Sequence, residues 1–131
     1  MAKFQPISES PQSSIDDHLL DFLKNRVNSF IKWDLVRFFH DNPHTREPAE
    51  NIARFTGRDL NTVKQELEGL VKAEILEAKT VSGKAIYALV KSESTRDLLD
   101  EFMEACHDRQ FRVAAIHHVI EGMQFSPRHD F

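Results

Sequence analysis

The chain reads as a mainly α-helical fold with a small β-hairpin. Apolar residues recur at three- and four-residue spacing through most of its 131 residues, the signature of amphipathic helices. Asn42-Pro43-His44 and Gly57 interrupt that periodicity where helices must stop. Near the middle, two short runs, Ile75 to Lys79 and Ala85 to Val90, flank Ser82-Gly83 as two strands flank a tight turn.

Residues 1–13 hold Pro6, Pro11 and several serines, and are expected to form a flexible arm. Ser14, with Asp17 three residues on, predicts a capping box for a first helix reaching about Val27. Ile15, Leu19, Phe22 and Leu23 form its apolar stripe. Ile31, Leu35, Phe38 and Phe39 place a second helix over Phe30 to Asp41, with Trp33 on a neighbouring face. Pro48 suits the first position of a third helix, because its missing N–H costs nothing there. Ile52, Ala53 and Phe55 are expected to face inward, and Gly57 to end the helix. Asp59 predicts the cap of a fourth helix, whose buried stripe is Leu60, Val63, Leu67, Leu70 and Val71. Two short strands alone are marginal, so the hairpin must lean on the helices.

From about Thr95 to Met123 there is no proline and a single glycine, Gly122. Leu99, Phe102, Cys106, Val113, Ile116, Ile120 and Met123 follow a heptad-like spacing broken only at Arg109. One helix of about 40 Å is expected, long enough to overhang a small domain. Its apolar seam then needs a partner, and a second copy of the chain supplies one. The expected organisation is thus an arm over 1–13, a domain over 14–92, a dimerisation helix over 93–124 and a frayed tail over 125–131.

Composition narrows the function. Hydrophobic residues make up 40% and charged residues 29%, enough for one soluble core. No apolar run is long enough to span a bilayer, and residues 1–14 lack a secretory-signal pattern, so a cytoplasmic, non-membrane setting is expected. The single cysteine, Cys106, rules out an internal disulfide framework. The chain lacks a Gly-rich phosphate loop and a Gly-x-Ser-x-Gly elbow, and no nucleophile, base and acid fall on elements that would converge. The expectation is that the protein is not an enzyme. Its formal net charge of −4 counts against nucleic-acid binding, which would then have to rest on a local basic patch.

From Glu47 to Val90 the order is short helix, Gly turn, amphipathic helix and hairpin, with no spare linker. This is a helix-turn-helix with a wing. The marker residues are Ile52-Ala53 on the support helix and Gly57 at the turn. Leu60, Thr62 and Val63 open the reading helix, and Leu67, Leu70 and Ile75-Leu76 lead into the wing. Over Phe30 to Val90 the chain resembles the winged helix-turn-helix transcription factors of the MarR and ArsR type. That resemblance implies a homodimeric, sequence-specific DNA-binding regulator, more often a repressor, with the reading helix in the major groove of double-stranded DNA.

With the aliphatic stripe turned inward, the opposite face of that helix carries Asn61, Gln65, Glu68 and Lys72. Asn61 and Gln65 have the paired donor and acceptor that match adenine edges. Thr62 suits a thymine methyl or a phosphate. Arg58 and Lys64 lie near the helix start, where phosphates would sit, and Arg46 and Arg54 could add backbone contacts. Lys79 and Lys84 place positive charge on the wing. The alternative is a winged-helix adaptor that binds protein and no nucleic acid. Surface charge separates the two: a face dominated by Glu66, Glu68, Glu74 and Glu77 would favour the adaptor.

His107, His118 and Glu121 have the spacing His-x10-His-x-x-Glu, which on one continuous helix aligns all three on one face. No cofactor is otherwise indicated, but this spacing resembles the helical zinc site of ArsR-type sensors. Their pattern has a carboxylate two residues before the first His, where this chain has Ala105, leaving Asp108 or Glu104 as substitutes. Cys106 on the seam reads as a small buried hydrophobe, with a redox switch as the sharper alternative. Trp33, Phe38 and Phe39 are candidates for core or for the wall of an effector pocket at the dimer junction.

Overall fold

The computed structural model of the chain describes residues 10–124, and the side chains of residues 17–123. Most of the expected arm and the tail after Gln124 lie outside the described residues. Helix α1 spans Ser10–Arg26, so it takes in the last residues of the expected arm. Ser14 is inside this helix, and the capping box expected at Ser14 and Asp17 does not start it. Pro11 explains how the helix can begin earlier, since a first-turn proline loses no hydrogen bond. Leu19, Phe22, Leu23 and Val27 form the buried face.

Helix α2 covers Phe30–Asp41, with Ser29 as its cap accepting from the Lys32 backbone N–H. Leu35, Val36 and Phe39 are buried. After it, Glu47–Pro48 form a two-residue strand, β1, that the sequence pattern did not reveal. Pro48 is consequently the extended cap residue of helix α3 (Ala49–Thr56) and not its first helical residue. Ala49, Ile52 and Ala53 fill the inner face of α3. Phe55 falls outside that stripe and is 55% exposed, contrary to the expectation that it points inward. It stacks on Phe38, with ring centroids 6.1 Å apart. Gly57 closes α3 in the left-handed region, at φ 69°.

Helix α4 runs over Leu60–Lys72, capped by Asp59, whose carboxylate accepts from the Thr62 N–H. Val63, Leu67 and Leu70 are buried, with Leu60 and Val71 packed at the margin. Strands β2 (Leu76–Val81) and β3 (Lys84–Leu89) pair antiparallel with Val81 opposite Lys84. Ser82 (φ 52°) and Gly83 (φ 81°) make the two-residue turn, both left-handed as such a hairpin requires. Strand β1 adds to the other edge of β3, giving the order β1-β3-β2. Pro48 fits there because an edge strand tolerates a missing donor. Leu76, Tyr87 and Leu89 anchor the hairpin in the helical core.

The long C-terminal helix is not formed. Helix α5 (Glu93–Ala105) ends before Cys106, and helix α6 (Arg109–Gln124) begins after Asp108. Asp108 caps α6, accepting from the Phe111 N–H at 2.9 Å, and Arg112 donates to the Cys106 carbonyl at 2.8 Å. The turn folds α6 back against α1 and buries Phe111, Ala115 and Val119, a stripe distinct from the heptad seam. Phe102 sits at the joint, with ring centroids 5.4 Å from Phe22, 5.7 Å from Trp33 and 6.1 Å from Phe111. Burying Phe111 alone gains roughly 2 kcal/mol. At the break the Asp108 cap takes up the Phe111 N–H and Arg112 takes up the Cys106 carbonyl. Of the expected seam, Leu99 and Phe102 are core, while Val113, Ile116 and Ile120 lie on the outside of α6.

Removing the cap discriminates between the two C-terminal arrangements. Asp108→Ala should destabilise the broken arrangement by about 1 kcal/mol in urea unfolding. In one continuous helix the same change would place a better helix former mid-helix and stabilise it. Phe102→Ala should cost about 3–5 kcal/mol in the same assay.

Candidate nucleic-acid interface

The burial of Val63, Leu67 and Leu70 sets the rotation of α4, so residues 61, 65, 68 and 72 share its outer face. Asn61, Gln65, Glu68 and Lys72 are all exposed, and Lys64 flanks them. Asn61, Gln65 and Lys72 have no hydrogen-bond or ion-pair partner among the described residues. One flank of the face is closed by α2. There Glu66 turns away from the outer face, accepting from the Ser29 hydroxyl at 2.7 Å and lying 3.4 Å from the Lys32 ammonium. Lys32 crosses over Gly69, where a Cβ would come within 2.6 Å of its Cε. A side chain at this position would have to displace only the flexible end of Lys32.

The other flank meets the hairpin. The buried Tyr87 hydroxyl donates to Glu68 Oε2 at 2.7 Å. Burial, and then the Glu68 carboxylate, push the Tyr87 phenol up to about 12, which extends its role as a donor from neutral pH into the alkaline range. Glu74 falls beyond the end of α4, in the left-handed region at φ 65°. Glu77 is half-buried on β2. The four glutamates therefore do not dominate the outer face; only Glu68 stands on it, already hydrogen-bonded.

Four of the residues expected to contact nucleic acid have other partners, the first being Arg54, which donates to Asn51 Oδ1 at 2.6 Å. Arg58 folds back onto α2, its Nε donating to Asp34 Oδ2 at 2.9 Å, while Arg37 bonds the other Asp34 oxygen at 3.0 Å. Thr62 is half-buried, and its hydroxyl joins the Asp59 cap at 3.1 Å. Lys84 lies 3.6 Å from Glu50 Oε2, in a pair that is largely exposed. The Glu50 carboxyl is held below its ordinary range, first by its own backbone N–H and then, against a burial penalty, by Lys84 and Lys64. Pairs of this exposure contribute little and are readily exchanged. Lys79 stands exposed on the same hairpin without such a partner among the described residues. The ion pairs of Arg58 and Lys84 link residues far apart in sequence, so no local pattern announces them.

The zinc constellation is not assembled within the chain. The turn at Cys106–Asp108 separates His107 from His118 and Glu121, removing the shared helical face that the spacing implied. Among the described residues no group of three His, Cys, Asp or Glu is placed to hold a metal ion. His118 instead lines a small cavity against Leu23, Lys24 and Asn28.

An open groove of about 550 Å³ lies between α2, the α3–α4 turn and the α5–α6 joint, lined by Phe30, Trp33, Arg58, Cys106 and Ile116 among others. Of the three aromatic residues proposed for a pocket wall, only Trp33 lines it, since Phe39 is wholly buried and Phe38 stacks on Phe55. Cys106 is partly exposed here, and burial pushes its thiol up to about 11 despite the nearby Arg112. A reactive redox thiol needs the opposite shift. No helix among the described residues is long and apolar enough to cross a membrane.

No family model matches this sequence, and no curated protein is significantly similar to it. The structure is similar to a solution NMR structure from Mycobacterium bovis, the homodimeric winged helix-turn-helix DNA-binding domain of a possible ArsR-family transcriptional regulator. The TM-score is 0.55 at 18% identity, over 78% of this chain and 91% of that one. Element order, turn geometry and this likeness together establish the fold of the chain as a winged helix-turn-helix.

Proposed function

We propose that this protein is a sequence-specific DNA-binding transcriptional regulator that acts as a homodimer and inserts α4 into the major groove. The observation that carries the reading is the outer face of α4. Asn61 and Gln65 stand there exposed and unpartnered, Lys72 and Lys64 lie beside them, and Glu66 is turned away. Free amides on an exposed helix match base edges, and exposed cations beside them match phosphates. Lys79 on the wing extends the cationic edge. Arg58 and Lys84 join it once DNA phosphates displace Asp34 and Glu50. Repression, by occupying DNA that a polymerase needs, is the mode that the resemblance to MarR and ArsR regulators implies.

A second copy is the natural cover for α6. Val113 (45% exposed), Ile116 (38%) and Ile120 (40%) line the side of α6 turned away from α1. A two-fold pairing of this stripe would set two reading helices to meet half-sites about one helical turn apart. The Arg58–Asp34 and Lys84–Glu50 pairs favour the rival reading, a protein-binding adaptor, because they neutralise two of the cations that phosphates would use.

Salt dependence separates the two. Binding to random duplex DNA should be measurable at low salt and weaken steeply as salt rises. Lys64→Ala with Lys79→Ala should lower affinity for all sequences and reduce the slope of log K against log salt by about 1 per lost phosphate contact. Gln65→Ala should leave that slope unchanged and alter preference among sequences. Absence of binding at low salt would favour the adaptor. For the dimer, light scattering should give about twice the 15.2 kDa chain mass, and Ile116→Glu with Ile120→Glu should return it to one chain. A wild-type monomer would remove the pairing.

A further inference from the structure

The outer face of α4 holds one negative group, and it is held in place. Asn61, Gln65, Glu68 and Lys72 lie one helical turn apart along that face. Glu68 is fixed by the Tyr87 hydroxyl, which reaches it from strand β3 at 2.7 Å. Tyr87 is only 3% exposed, so its ring is clamped by the core and its hydroxyl has little freedom. The bond occupies Oε2, and Oε1 has no donor among the described residues. A carboxylate left merely to solvent would swing away from approaching phosphates. Here the phenol keeps it on the face where, on the reading above, a duplex docks.

An ionised carboxylate can only accept hydrogen bonds. In the major groove, guanine presents two acceptors, thymine presents an acceptor and a methyl, and adenine pairs its donor with an acceptor. Cytosine offers its N4 amino donor with no acceptor beside it. Resting on that DNA reading, we propose that Glu68 is a specificity-determining residue that selects a cytosine at one position of each half-site, with Tyr87 as its positioning residue. The bond formed is cytosine N4–H to Glu68 Oε1. Guanine and thymine offer the fixed charge only acceptors, adenine sets its N7 acceptor beside its donor, and phosphates repel it outright. Glu68 thus lowers indiscriminate affinity and sharpens choice at one base pair, in keeping with a chain of net charge −4.

The test is selection from a random duplex pool by the full chain, followed by titration of selected and scrambled duplexes. Wild type should enrich cytosine at one position per half-site, by roughly tenfold over the other bases. Glu68→Gln, nearly isosteric, should flatten that position or turn it toward adenine, and should bind scrambled duplex more tightly. Tyr87→Phe keeps the charge and loses the clamp. It should weaken the cytosine preference several-fold and raise scrambled-duplex affinity part of the way toward that of Glu68→Gln, because the released carboxylate can swing away from phosphates, which a purely structural role for the hydroxyl would not do. If Glu68→Gln selects the same sites as wild type and merely binds everything better, Glu68 is only a repulsive charge and the proposal is overturned, whatever Tyr87→Phe does. If neither wild type nor variant binds any duplex at low salt, the DNA reading itself fails, and the two failures are told apart by the scrambled-duplex titration.

Discussion

Three aliphatic side chains, Val63, Leu67 and Leu70, lock the rotation of α4 about its own axis, and the functional surface follows from that lock. A helix has one degree of freedom that decides what it can offer a partner, namely which residues point out. Burying this stripe against α2, α3 and the hairpin is worth several kcal/mol by area (about 1.5–3 kcal/mol for each fully buried side chain), far more than any single polar contact on the exposed side. The outer residues are therefore free to be chosen for chemistry. They include two amides, two lysines and one clamped carboxylate.

The neighbouring elements serve to close the flanks. Lys32 and Ser29 of the α2 region draw Glu66 inward, so a charge that would face a duplex is spent within the domain. Tyr87 of the wing does the reverse for Glu68, holding a charge on the face. The same chain thus hides one carboxylate of α4 and presents another two residues along, by the simple device of placing a hydroxyl donor on each side of the helix. The C-terminal turn plays a comparable part at larger scale. By folding α6 onto α1 it completes the core around Phe102 and leaves Val113, Ile116 and Ile120 outside.

Much of this was legible in the residues. The bounds of α2, the Asp59 cap, the left-handed Gly57 and the Ser82-Gly83 turn are local signals that act through the backbone of a few neighbours. The inward and outward faces of α4 were readable for the same reason. What escaped was either long-range or ambiguous. The break at Cys106–Asp108 was masked because two amphipathic helices placed end to end mimic one heptad repeat. Arg109 at an apolar position and Asp108 as a cap were the available signs, and the buried stripe of Phe111, Ala115 and Val119 runs beside the seam that was read. Strand β1 is two residues long and has no periodicity to detect. Position near the reading helix points to Arg58 and Thr62, and position on the wing to Lys84, yet Asp34, Asp59 and Glu50 engage them. Of these only the Asp59 contact is local enough to foresee.

The central claim is that α4 meets a double helix with its amide-bearing side. Side-chain amide resonances of isotopically labelled protein, followed by NMR during titration with a duplex at low salt, test it most directly. The account predicts that the Asn61 and Gln65 side-chain amides shift first and most, together with backbone amides at the Ser82-Gly83 wing tip. Shifts confined to α6, or an unchanged spectrum at saturating duplex, would contradict it.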